Sequence, residues 1–230
     1  MKTRTSKTLG AAAGVAAIVA SLPLAINAYA DPPTTPEAPI PDPQGSGCDA
    51  FKTALPNWKD LATQPVGKVL ASIPDISTFN SLVSGQANPA VNVVPILENG
   101  PYVVFAPSNE AFAAMDPGQL DAIKADPEAL TKLDYYHVFL GLLGPDDVKG
   151  QRPTQEGTEI KVTGKGGDIK VNDTAKVVCG GIQGSDSRIY IIDSVLDPAQ
   201  GPEPITPSGT SSTTTTTTTT TQAPPPPPAG

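Results

Sequence analysis

The sequence predicts an α+β domain with its helices packed on one side of a largely antiparallel sheet. Two observations carry this. Before Gly150, apolar residues recur at helical spacing and two Asp-Pro pairs mark helix starts; beyond it, apolar and polar residues alternate around a glycine-rich turn. Helices clustered before strands suit a domain whose helices cover one face of a sheet. A third observation bounds the domain: its two cysteines, Cys48 and Cys179, stand near its two ends, 131 positions apart.

The elements follow in order. Ile76, Phe79, Leu82 and Val83 keep helical spacing, and Gly85 sits where a C-cap belongs. Val91 to Leu97 is a further short apolar element, closed by Asn99-Gly100. Tyr102 to Ala106 reads as a buried strand, and Pro107, with no N–H to give a ladder, ends its pairing. Ser108 or Asn109 then caps a helix holding Ala111, Phe112 and Met115, with Phe112 as the anchor on the sheet. Asp116-Pro117 and Asp126-Pro127 each place a capping acid before an N1 proline, opening helices that carry Leu120 with Ile123 and Leu130 with Leu133. Ile160, Val162 and Ile169, Val171 flank Gly164 to Gly167 as a hairpin; Val177 to Cys179 and Ile189 to Ile192 complete the strands.

The chain ends have other compositions. Lys2, Arg4 and Lys7, an apolar run from Leu9 to Leu24, and Ala28-Tyr29-Ala30 read as a secretory signal over residues 1–30. Gly14, Ser21 and Pro23 interrupt the run, which falls short of the roughly 20 residues that span a bilayer. No cysteine follows closely, so the mature chain is expected to be free of lipid and not inserted in a membrane. Residues 31–47 read as a Pro-rich disordered linker, 48–198 as the domain, and 199–230 as a disordered Thr/Pro-rich tail. Thr213 to Thr221 and the prolines 224–228 fit an O-glycosylated stalk or an unmodified spacer equally well. No hydrophobic segment follows them to serve as an anchor.

Without the three basic residues of the signal, the 15 basic residues become 12 against 23 acidic ones, a net charge of −11. Such a surface argues against nucleic acid and anionic membrane as partners. In an exported chain an even cysteine pair reads as a disulfide. On the chain-entropy model, closing so long a loop contributes about 4–5 kcal/mol. The competing reading, two free thiols in catalysis or metal binding, has one histidine to draw on.

Three stretches together carry a family resemblance. "VVFAPSNEAF" (103–112) resembles the opening signature of fasciclin domains, "YYHVFLG" (135–141) their central Tyr-His element, and "IYIIDSVLDP" (189–198) their closing signature. The layout is most similar to the secreted single-domain fasciclin antigens of mycobacteria and related actinobacteria. The resemblance implies a helical bundle packed against a largely antiparallel β wedge or barrel. It also implies a non-enzymatic role in adhesion to extracellular matrix (collagen included), to cell-surface protein or to polysaccharide. The signature positions are Phe105, Ala106, Pro107, Ser108, Asn109 and Phe112, then Tyr136 and His137, then Ile192, Asp193 and Leu196. Metazoan members are credited with integrin contact through an acidic-aliphatic stretch before the closing signature. Here that stretch is Ala175-Lys176-Val177-Val178-Cys179, without the acid, and the resemblance does not carry integrin binding over.

His137, the only histidine, could serve as a base, a ligand or a pH-sensitive contact. No nucleophile motif or ligand cluster accompanies it, which favours a hydrogen-bonded core histidine between bundle and sheet. Asp193 is expected to close a turn at its strand's end. Asn172-Asp173-Thr174 matches a glycosylation acceptor, Asp116, Asp146 and Asp147 lack calcium-loop spacing, and Gly164 to Gly167 has no helix behind it to cradle phosphate. No cofactor is expected. Two further readings stay open: a small-molecule or lipid pocket between helices and sheet near His137 and Phe112, and a hydrolase using Ser108 or Ser194 with His137 and an aspartate.

Overall fold

The computed structural model describes residues 39–205. The signal segment, residues 31–38 and the Thr-rich stretch lie outside them. Seven α-helices lie among the described residues: α1 (Cys48–Ala54), α2 (Val66–Ser72), α3 (Ser77–Val83), α4 (Val94–Leu97), α5 (Asn109–Ala113), α6 (Pro117–Ala125) and α7 (Pro127–Tyr136). The strands are β1 (Tyr102–Pro107), β2 (Val138–Leu140), β3 (Gly150–Pro153), β4 (Glu159–Lys165), β5 (Asp168–Val171), β6 (Ala175–Gln183) and β7 (Ser187–Ile192). They form one sheet in the order β2-β1-β7-β6-β5-β4-β3. Every pairing is antiparallel except β1 with β7, which run parallel from Tyr102↔Ser187 to Pro107↔Ile192. None of the described helices is long and apolar enough to cross a membrane.

The sheet curls until its edges approach, where Gln155 N–H, just beyond β3, donates to Val138 O of β2 at 2.8 Å. It thereby separates two cores. Val103 and Phe105 of β1 with Tyr190 and Ile192 of β7 face the barrel interior, joined by Phe139, Ile160, Val162 and Ile169. Val104 and Ala106 with Ile189 and Ile191 face the helices, against Phe79, Leu82, Phe112 and Leu130. Side chains alternate along a strand, so a strand buried on both faces has no polar position to spare. That is why Tyr102 to Pro107 is buried throughout.

β6 turns the corner between the cores. Ala175 and Val177 face the barrel, and a two-residue period would send Cys179 there as well. Register breaks between Val177 and Cys179 and between Gly180 and Ile182 instead hand Cys179 and Ile182 to the helical core. The bulge needs its glycines: Gly181 has φ +81°, and a Cβ on Gly180 would lie 2.5 Å from the Tyr190 ring. Turned this way, Cys179 forms a disulfide with Cys48 at the start of α1, their Cα atoms 4.8 Å apart.

The helix punctuation follows the sequence. Asp116 Oδ1 accepts from Gly118 and Gln119 N–H, and Asp126 Oδ1 from Glu128 and Ala129 N–H. Gly85, at φ +80°, follows α3. The Val91 to Leu97 stretch is helical only from Val94; Val91 and Val93 are buried without being helical.

Both sequence-read domain boundaries fall short of the folded unit. Gln44, assigned to the linker, exchanges both main-chain hydrogen bonds with Gly180, and Gly47 N–H donates to Val178 O. Residues 199–205, assigned to the tail, fold back: Gln151 Nε2 donates to Glu203 O at 2.6 Å and Ile205 N–H to Glu159 Oε2 at 3.0 Å. Main-chain pairing of this kind leaves no trace in composition. A chain ending at Ile205 keeps these contacts. One ending at Pro198 should lose about 1–3 kcal/mol as contacts to the buried Glu159 go, measured by denaturant unfolding.

Candidate functional site

The three signature stretches converge where β1, β7 and α7 meet. Phe105 packs against Tyr190 and Phe139, with ring centroids 5.4 and 6.0 Å apart, and fixes the barrel interior beneath. Pro107 is the last residue of β1, and Ser108 follows it with its N–H on Ile192 O. The Ser108 hydroxyl caps α5 by accepting from Ala111 N–H at 3.2 Å, and Phe112 is buried on the helical side. Asn109 does not cap its own helix. Its Oδ1 accepts from Thr78 N–H at 3.0 Å in the first turn of α3, and its Nδ2 donates to Pro74 O. It caps a neighbouring helix 31 residues away in sequence, a role that depends on α3 arriving there.

Tyr136 is fully buried. Its hydroxyl donates to Glu159 O at 3.2 Å and accepts from Asn172 Nδ2 at 2.8 Å. The Asn172 amide is thereby engaged in the fold rather than displayed. Asp193 Oδ1 accepts from Lys176 N–H at 2.8 Å and fastens the end of β7 to β6. Ile192 and Leu196 are both buried in the barrel core.

His137 is fully buried beneath Phe79, ring centroids 5.7 Å apart. Leu196 N–H donates to Nε2 at 3.0 Å, so Nε2 is the bare nitrogen and Nδ1 carries the proton given to Leu133 O at 2.8 Å. Burial pulls its pKa down to about 4, against the opposing pull of the Leu133 carbonyl. Both nitrogens are committed to main chain. Ser108 Oγ is taken up by Ala111 and Ser194 Oγ donates to Asp193 Oδ1, so neither serine is bonded to the imidazole and no hydrolytic triad is assembled. Among the described residues no three His, Cys, Asp or Glu side chains gather as a metal would require.

Sequence reading missed Asp134. It lies on the core face of α7, between Leu130 and His137 in the i, i+4, i+7 series, and is fully buried with neither carboxylate oxygen hydrogen-bonded. Burial raises its pKa to about 8. An acid inside a helical apolar pattern is the signal that was available, since exposed faces normally carry the charges.

Phe112 and His137 sit in packed core, which corrects the expected position of a pocket. An open groove of about 480 Å³ instead runs between α5, α6 and α7 on one side and residues 193–200 on the other. Met115, Ile123, Leu133 and Val195 give it apolar walls, and Ala114 and Ala129 leave it room. Lys132, Asp193 and Asp197 stand along it. α6 has no fully buried residue; Leu120 and Ile123 pack half-buried against the helical core, and Asn88 Nδ2 donates to Lys124 O.

The sequence profile of the family described as Fasciclin domain matches residues 74–198. The chain belongs to the fasciclin family. It is 35% identical over 199 residues to immunogenic protein MPB70 of Mycobacterium bovis, covering 85% of this chain and 98% of that one. Cell surface glycolipoprotein MPB83 of the same species is 35% identical over 180 residues, covering 73% and 81%. A solved FAS1 domain pair from the insect cell adhesion molecule fasciclin I overlaps with a TM-score of 0.41 and 18% identity, over 53% of this chain and 45% of that one.

Two of the buried ionisable groups, His137 and Asp134, predict opposite pH responses. The His137 pKa lies below its ordinary value, so its contribution to stability is complete above about pH 6.5 and is lost as pH falls towards 4. The Asp134 pKa lies above its ordinary value, so its contribution is complete below about pH 4 and is lost as pH rises through 8. Asp134→Asn should therefore become increasingly stabilising, relative to the native chain, between pH 4 and 8 in urea titrations. Asn109→Ala should cost about 1–2 kcal/mol and loosen the first turn of α3, seen as faster hydrogen exchange at Thr78.

Proposed function

We propose that this protein is an extracellular, non-catalytic binding protein that works in adhesion at the cell envelope or to host matrix. The observation that carries this reading is its membership of the fasciclin family, with a relative named as a cell surface glycolipoprotein matching most of the chain. The geometry supports it from another side. The signature groups Ser108 and His137 are spent on a helix cap and on main-chain hydrogen bonds in the core, which leaves binding to the outer surface. The amino-terminal segment exports the chain, and the Thr/Pro-rich tail acts as a spacer, with O-glycans on the Thr run. The groove favours a second reading, carriage of a small molecule or lipid, since its volume falls within the ~300–1,000 Å³ of ligand pockets.

The test is capture of the mature, oxidised protein on immobilised collagen, fibronectin and mycobacterial-type wall polysaccharide. A peptide of residues 206–230 serves as competitor and reduced, alkylated protein as control. Saturable capture that reduction abolishes and the tail peptide leaves untouched is the expected result, because the contact would then need the folded domain. Capture by none of the three surfaces would remove the adhesion reading.

A further inference from the structure

The groove beside α6 has a charge balance as well as a shape. Lys132, its one lysine, is already held by Glu156, Nζ to Oε1 3.6 Å. Glu156 is itself kept below the usual carboxylate range: burial acts to raise it, and Thr158 and Lys132 outweigh that. This cation is therefore neutralised from outside the groove. Asp193 and Asp197, both on the opposite wall, have no such partner. Neither carboxylate has a lysine or arginine within ion-pair distance among the described residues. Their hydrogen bonds come from neutral donors: Lys176 N–H and the Ser194 hydroxyl for Asp193, Ala199 N–H and Gln200 Nε2 for Asp197. The net result is a trough with apolar and polar lining in similar measure and two carboxylates along one side that form no ion pair among the described residues.

The trough also offers neutral hydrogen-bonding groups. Gln119, Gln200 and Ser194 line it, and it is open to solvent. Apolar walls suit aliphatic side chains, amides suit peptide groups, and unpaired carboxylates suit lysine or arginine. We infer that the groove between α5–α7 and residues 193–200 docks a short extended segment of a partner protein, aliphatic in character and carrying basic residues. This rests on the adhesion reading, which it deepens by giving the partner a chemistry and the contact a place.

The probe is a fluorescein-labelled decapeptide alternating lysine with leucine or valine, measured by anisotropy against the mature protein. Its glutamate-for-lysine counterpart and monomeric dodecyltrimethylammonium are the comparators. Two variants address the groove independently: Ala114→Trp fills it from an exposed position, and the double change Asp193→Asn with Asp197→Asn removes both charges while retaining an amide oxygen as acceptor. Thermal melts show that each variant is folded, and a salt series on the native protein needs no variant.

The lysine peptide is expected to bind and the glutamate peptide not to. Binding should weaken about tenfold or more in the double variant, disappear in Ala114→Trp, and fall with rising salt. Failure of the lysine peptide to bind, equal binding of the glutamate peptide, or undiminished binding to both variants would overturn the proposal. So would groove-dependent binding of the alkylammonium without the peptide, which would assign the groove to a small amphiphile. Surface capture is run beside it to separate the two readings. Native protein and both variants captured equally would remove the groove while adhesion stands. Peptide binding as expected with no surface captured would keep the groove and remove the matrix or wall as its target.

Discussion

The constraint on which this structure depends is the parallel pairing of β1 with β7, buried on both faces. Each strand supplies alternate side chains to two different cores: Val103 and Phe105 to the barrel, Val104 and Ala106 to the helices, with Tyr190, Ile192 and Ile189, Ile191 answering them. Neither core can form without the other. Burying a single aliphatic or aromatic side chain is worth about 1.5–3 kcal/mol, and these two strands do so on both sides. The other elements hold this pair in place. His137 joins α7 to the segment after β7, Asn109 joins α5 to α3, and the disulfide joins α1 to the bent part of β6.

From this follows the division of labour between signature and surface. The residues that make the sequence identifiable cluster on β1, α7 and β7 because that is where two cores must be closed at once. Their polar atoms meet main chain or one another: Ser108 with Ala111, His137 with Leu133 and Leu196, Tyr136 with Glu159 and Asn172. The groove draws on both: Ala111 and residues 193–198 belong to the opening and closing signatures, and α6, the start of α7 and residues 199–200 lie outside them. Of its walls α6 is the lightly buried one, with no fully buried residue.

Local rules were legible in the sequence and long-range ones were not. The Asp-Pro starts at 116 and 126, the hairpin around Gly164 to Gly167 and the stop at Pro107 each depend on a few neighbouring residues, and each stands in the structure. The parallel partner of β1 begins 85 residues further on, and nothing local chooses it over an antiparallel neighbour. β3, Gly150–Pro153, is an edge strand with no apolar alternation to announce it. The bulges in β6 were hidden because a glycine pair fits a turn as readily as a bend. Gln44 and Ile205 join the fold through main-chain atoms, which a proline-rich composition masks. Asp134 is a different case, a charged residue type in an apolar series, where the pattern was present and its meaning depended on burial.

His137 is held as a neutral, structural imidazole rather than a group available for chemistry. Nitrogen-15 NMR of the ring across a pH titration reads both its tautomer and its pKa. The structure predicts a protonated Nδ1, a bare Nε2 accepting from Leu196, and no titration until pH approaches about 4. An imidazole that titrates near its ordinary 6.5, or carries its proton on Nε2, would contradict the account.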